Sequence, residues 1–220
     1  MYRNTLLKIS TVLFAAVIVT AAPARADVAS TKEAMKEISY GKADAPVVIY
    51  GFESLSCPHC RQFHTGAWPK IKKEYVDTGK VRFVLRDFPH NAQGFFGLLT
   101  ARCLGPDRAK GMVEILFSNQ SQWAFLGRDK FYAALGRYAR LGGMNDADFK
   151  SCLQNADIIK AIQANVKEAQ TKYKISSVPG FLIGTKKQIE SGDAKRINGA
   201  QNFAVFDKVI REALADAGQK

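Results

Sequence analysis

The sequence predicts an α/β fold in which a single sheet is interrupted by a helical insertion, and three patterns predict it. The run Val47-Val48-Ile49-Tyr50 is continuous, apolar and β-branched, as suits a strand covered on both faces. Beyond it Phe63, Ala67, Ile71 and Tyr75 recur at helical spacing, and Val81, Phe83 and Leu85 then alternate with Arg82 and Arg86. From about residue 90 to 174 the periodicity is helical throughout, after which strand signals return at Phe181-Leu182-Ile183 and Arg196-Ile197-Asn198. Strands on both sides of a helical block need one common sheet to bury their apolar faces.

Taken in order, Met1 to Lys8 carries Arg3 and Lys8 with no acid, Ile9 to Ala22 is apolar or small, and Ala24-Arg25-Ala26 offers an A-x-A cleavage site. This predicts a cleavable signal peptide over 1–26, since the run is shorter than the roughly 20 residues that span a bilayer. Residues 27–89 then form the first part of the sheet domain as strand, helix, strand, with the helical crossover implying parallel pairing. Pro69 lacks an amide hydrogen and should kink the helix, and Pro89 ends the second strand. The insertion at 90–174 presents apolar faces at Phe96, Leu99 and Cys103, at Met112, Ile115 and Leu116, at Phe131, Leu135 and Tyr138, and at Ile158, Ile162 and Val166. Residues 175–220 complete the sheet domain, with a Gly-rich turn near Gly192 and a closing helix on Phe203, Phe206, Ile210 and Leu214.

The 220-residue chain carries a formal net charge of +12. The basic residues are dispersed, at Lys70, Lys72 and Lys73, at Arg137 and Arg140, and at Lys186 and Lys187, with no block of interleaved aromatics. That distribution argues for a solvated surface and against nucleic-acid binding.

The chemistry lies in four cysteines. An even number in an exported chain permits full pairing. Of three possible pairings, the three-residue spacing selects Cys57 with Cys60 and leaves Cys103 with Cys152. Cys57-Pro58-His59-Cys60 follows a buried strand and opens a helix, where unpaired backbone N–H groups and the helix dipole favour a thiolate at Cys57. Pro58 is tolerated at an early helical position, and His59 can donate a hydrogen bond or charge to the sulfur. A low-energy Cys57 thiolate is a good leaving group, so the pair favours giving its disulfide away. Cys103 and Cys152 fall on apolar helix faces. A bond between them closes a ring of about 50 residues, worth about 4 kcal/mol by chain entropy, and reads as a structural staple.

Two other uses of the motif compete with this one. Cys57, Cys60, His64 and His90 can be written as zinc ligands, but structural zinc normally takes two paired clusters and only one pair is present; no metal and no cofactor is expected. An inert structural disulfide is the other. His64 and His90 read by themselves as packing or helix-terminal residues. Val178-Pro179 opens the third strand and is a candidate cis peptide whose backbone could hold a client chain.

On Cys57-Pro58-His59-Cys60, on Val178-Pro179 and on the spacing of both around the helical block, the mature chain resembles the DsbA family of bacterial periplasmic disulfide oxidases, a thioredoxin-like fold with a helical insertion. The resemblance implies Cys57 as the exposed nucleophile, Cys60 as its buried partner and His59 as stabiliser of the thiolate. It further implies Pro58, Val178 and cis-Pro179 as the client-facing surface, and Cys103–Cys152 as the second disulfide of some members. The family often carries a buried acid six residues before the first cysteine. That position is Gly51 here, and Glu53, two residues on along the same strand face, is the candidate substitute for proton handling. Gly180 after the proline suggests a wider client groove.

The function implied is a periplasmic thiol-disulfide oxidase that passes the Cys57–Cys60 disulfide to reduced exported proteins and is recharged by a DsbB-type membrane oxidase. The alternatives are a disulfide isomerase or reductase of the same fold and a non-catalytic chaperone-like binding module. Only about 20 residues separate Asp27 from the first expected strand, which argues against an N-terminal dimerisation domain and suggests a monomer.

Overall fold

A computed structural model describes residues 28–218. The 1–26 signal-peptide expectation lies outside these residues. The chain runs α1 (Thr31–Ala34), β1 (Ile38–Tyr40), β2 (Val47–Glu53), α2 (Pro58–Thr65), α3 (Ala67–Ile71) and a π-helical turn (Lys72–Val76) into β3 (Val81–Asp87). Five helices follow: α4 (Ala92–Cys103), α5 (Pro106–Ser118), α6 (Arg128–Leu141), α7 (Asp146–Leu153) and α8 (Ala156–Thr171). Then come β4 (Gly180–Gly184), α9 (Lys186–Ser191), β5 (Lys195–Asn198) and α10 (Phe203–Asp216).

The five strands form one sheet in the order β1-β3-β2-β4-β5. β2 and β3 pair in parallel, joined by the helical crossover, and the remaining pairs are antiparallel. Side chains alternate along β2. Val47 and Ile49 enter the main core with Phe63, Phe83, Phe181 and Phe206, whereas Phe52, flanked by Val48 and Tyr50, enters a second core with Tyr173, Leu182 and Ile189. Period 2 therefore puts Gly51 and Glu53 on the face that α2 covers. The main core continues without a break into Leu99, Cys103, Leu116, Trp123 and Leu135 of the helical segment.

Three local features differ from the sequence expectation. The crossover helix breaks at Gly66 (φ −111°, ψ −83°) rather than at Pro69. A proline ring clashes with the carbonyl four residues before it, so the irregularity falls in the preceding turn, and Pro69 itself sits early in α3 where no amide donor is needed. β1, only three residues long, is an additional edge strand held by antiparallel pairing of Ile38 with Leu85 and Tyr40 with Phe83. The segment before Gly192 is a short helix with a Thr185/Gln188 capping box, ended by Gly192 in the left-handed region (φ 89°).

Candidate active site

β2 ends at Glu53, and the loop Ser54-Leu55-Ser56 delivers Cys57 to the N-cap of α2 with Pro58 in the first helical turn. The Cys57 amide donates to the Ser54 carbonyl at 3.0 Å, which closes this loop tightly. Buried Gln120, between α5 and α6, donates from Nε2 to the carbonyls of both Leu55 (2.8 Å) and Cys57 (2.9 Å). One side chain thus clamps the backbone that carries the sulfur. Gln120→Ala leaves the buried Leu55 carbonyl unpaired and the Cys57 carbonyl with only the Arg61 amide (3.1 Å), and should destabilise the fold by about 2 kcal/mol in chemical denaturation.

Both motif cysteines are free thiols in this structure, and their environments differ. The Cys57 thiol is pushed down from 9.0 to about 5: the hydrogen bond from Cys60 contributes most, partial desolvation opposes it, and the backbone N–H groups of Cys60 and His59 and the charge of His90 add to the lowering. The Cys60 thiol is driven far above its ordinary range, first by burial, then by donating its hydrogen bond to Cys57 and by the negative charge of Glu53. One sulfur of the pair is stable as an anion and the other is held neutral.

Val178 and Pro179 are joined by a cis peptide bond, and the Val178 carbonyl lies 3.8 Å from Cys57 Sγ. The β4 entrance therefore faces the cysteine across the gap between β4 and α2. Cys103 and Cys152 are disulfide-bonded, with Cα atoms 5.9 Å apart, and tie α4 to α7 in the core.

Other residues behave differently from the sequence expectation. Cys57 is only 6% exposed, so its sulfur sits at the bottom of a narrow mouth rather than on an open surface, because the N-cap position draws it in beside Cys60 and Val178. The His59 ring is exposed and turned to Gln62 (Nδ1 to Oε1, 3.4 Å), so this residue acts on Cys57 through its backbone amide. The imidazole charge comes from His90 instead, which shares a 2.8 Å hydrogen bond with Ser54 Oγ. Ser56 Oγ donates to Asn91 Oδ1 (2.7 Å), and the same oxygen caps α4 by accepting from the Gly94 amide. The start of α4 is therefore fastened to the cysteine loop. A side chain at Gly180 would meet Ile175 and the Ser177 carbonyl rather than open space, so this glycine packs the strand and does not widen a groove.

Glu53 is completely buried and meets the nearly sealed His64 with 2.5 Å between Oε2 and Nε2. A Cβ at Gly51 would lie 2.5 Å from Phe83 Cζ and 2.9 Å from Glu53 Oε1, so the absence of a side chain at 51 makes room for both the Phe83 ring and the carboxylate. Of the four residues written as zinc ligands, His64 is engaged by Glu53 and His90 by Ser54, so they do not converge. Gln120, Asn91 and Ser54 carried no sequence signal, since each acts through a contact made 35 to 65 residues away along the chain.

A cysteine at a helix N-cap, a buried partner three residues on and a cis-proline strand opposite define a dithiol site on a thioredoxin-like sheet. The family model described as Thioredoxin matches residues 33–202, and the chain belongs to that family. Within it the architecture is that of the DsbA-like members. Wolbachia pipientis alpha-DsbA1 superposes with a TM-score of 0.73 at 24% identity, covering 83% of this chain and 93% of that one. Oxidised BdbD from Bacillus subtilis gives 0.65 at 20% identity, covering 87% and 98%. In sequence, a Rickettsia bellii protein named "Putative protein-disulfide oxidoreductase" is 28% identical over 174 residues, 79% of this chain and 64% of its own length. The chain spans 51–64% of the length of the Rickettsia relatives it matches. Among the described residues no helix is long and apolar enough to cross a membrane.

Proposed function

We propose that this protein is a dithiol-disulfide oxidase acting on reduced exported proteins in the periplasm, with Cys57 and Cys60 as the redox pair. The observation that carries the reading is the opposite bias of the two sulfurs, Cys57 toward the thiolate and Cys60 toward the thiol. A client thiolate attacks Cys57 Sγ of the disulfide and the bond's electron pair leaves on Cys60. A second client thiolate then attacks the client sulfur of the mixed disulfide and expels Cys57 as a low-pKa thiolate. Stabilising the reduced enzyme this way makes its disulfide a strong oxidant. The Val178 carbonyl beside Cys57 supports a role for Val178 and Pro179 in holding client backbone, with Pro58 on the rim. Residues 90–174 are read as the helical insertion, stapled by Cys103–Cys152. Recharging by a DsbB-type membrane oxidase and a monomeric state complete the proposal.

Refolding assays test it. The disulfide form should restore activity to a reduced client protein and leave a scrambled one unrepaired. Repair of the scrambled client would establish an isomerase, and activity on neither would establish a non-catalytic module.

A further inference from the structure

Removing Cys60 from the disulfide as a leaving group poses a problem that Cys57 does not share. Cys60 is fully buried, and its sulfur lies 3.5 Å from the Ser54 amide, against the end of β2, where a thiolate has little solvation. Breaking the S–S bond therefore requires a proton to reach Cys60 as the electron pair arrives. Glu53, the residue before Ser54, has one oxygen, Oε1, that is buried without a hydrogen-bond partner among the described residues, while Oε2 is engaged by His64. His64 is in turn held in one orientation, stacked on Phe117 with ring centroids 4.0 Å apart and interplanar angle 18°, and flanked by Trp68. Beyond it a cleft of about 270 Å³ between α2, α3 and α5 opens to solvent, lined by His64, Thr65, Trp68, Glu114, Phe117 and Ser118. Among the described residues His64 Nδ1 has no hydrogen-bond partner, which leaves it free to meet water in this cleft.

We infer that His64 is a positioning and proton-relay residue that connects Glu53 to water in this cleft, so that the proton taken up by Cys60 enters from the face of the molecule behind the dithiol and not through the mouth where clients bind. The inference rests on the proposed dithiol exchange. The client thiolate forms a bond to Cys57 Sγ, the Cys57–Cys60 bond breaks, and its electron pair goes to Cys60. The Glu53 carboxylate takes the Nε2 proton of His64 and passes it to Cys60, and His64 takes one proton at Nδ1 from cleft water. One proton has entered and one disulfide has been exchanged; reoxidation runs the same path outward. A separate entrance keeps proton delivery working while a bound client occludes Cys57, which is already only 6% exposed.

The groups facing this relay are Glu53 on β2, Cys60 on α2, Tyr40 on β1, Glu114 on α5 and Lys72, the last held by Asp77. The test is single-turnover oxidation of a reduced model peptide by the disulfide form across a pH series, with thermal melting as a stability control. General acid groups contribute typically 10²–10⁴-fold, and loss of a group that only resupplies the acid should cost about tenfold. His64→Gln keeps the size and a hydrogen bond to Glu53 but cannot relay a proton, so it should be slower, with a deficit that widens as the pH rises. Ser118→Phe, at an exposed position on the cleft rim, should slow the same step without touching the buried pair, and decides the matter if His64→Gln does not fold. Unchanged rates and pH profiles in folded variants overturn the relay while leaving the oxidase reading intact. A wild-type protein that does not oxidise the peptide at all overturns the oxidase reading instead.

Discussion

Cys60→Ala should abolish dithiol oxidation and convert the protein into a trap. Without Cys60 there is no internal disulfide to donate, and a client joined to Cys57 cannot be released by an internal attack. An intramolecular thiol held against its target acts at effective concentrations of order 10⁵ M or more, far above any millimolar external thiol. Its loss should lengthen the life of a mixed disulfide by more than about 10³-fold. Non-reducing electrophoresis of Cys60→Ala mixed with oxidised client should show a stable covalent adduct, and Cys57→Ala should show none. An equally short-lived adduct in Cys60→Ala would mean that Cys60 is not the internal sulfur that returns to the Cys57–client bond.

Arg102→Met should be the most damaging single change away from the dithiol. Arg102 on α4 and Asp87 at the end of β3 are sealed from solvent and joined by Nη2 to Oδ1 at 2.6 Å and Nε to Oδ1 at 3.0 Å. Arg102 also donates to the Ala34 carbonyl (2.8 Å), and Asn165 on α8 donates to the other Asp87 oxygen (2.8 Å). This network fastens α1, the sheet, α4 and α8 to one another. Removing the guanidinium leaves a buried carboxylate without its counter-charge and with Asn165 as its remaining side-chain donor, and the buried Ala34 carbonyl without its donor, a loss of about 3–5 kcal/mol. For a chain of this size that corresponds to a fall in melting temperature of about 10 °C. The attraction within the pair is offset by the cost of desolvating two charges, so Asp87→Asn combined with Arg102→Met should be less destabilised than the sum of the two single variants. Strict additivity would show that the two residues act independently.

The sheet and the motif were legible because both are local. β2, β3 and β4 announce themselves by β-branched runs or alternation, and the cysteine pair sits at a strand-to-helix junction within one stretch of chain. β1 was not, because Ile38-Ser39-Tyr40 is too short for a period to emerge and exists through its pairing with β3. Glu53 could be placed on the face of Gly51 from the strand period alone, but its partner could not. His64 reaches it across the packing of α2 on β2, eleven residues away, and a histidine one turn beyond Cys60 looks the same in sequence whether it faces solvent or core. The exchange of roles between His59 and His90 has the same origin. Which imidazole charge acts on Cys57 depends on side-chain direction and on how α4 begins, and neither is encoded in the four residues of the motif.

Everything proposed for the dithiol requires that Cys57 be more stable as an anion in the reduced fold than in an unfolded chain. Its pKa is lowered from 9.0 to about 5, so the stabilisation it gives the reduced form is fully present above pH 9 and vanishes as the pH falls through 5. Relative to the disulfide form, which has no thiol to ionise, the reduced protein should therefore gain stability steadily from about pH 5 to pH 8. The most direct measurement is the pH dependence of thiolate absorbance and of alkylation rate at Cys57 in the reduced protein. The structure predicts a midpoint near 5; a midpoint near 9, that of an ordinary thiol, would contradict it.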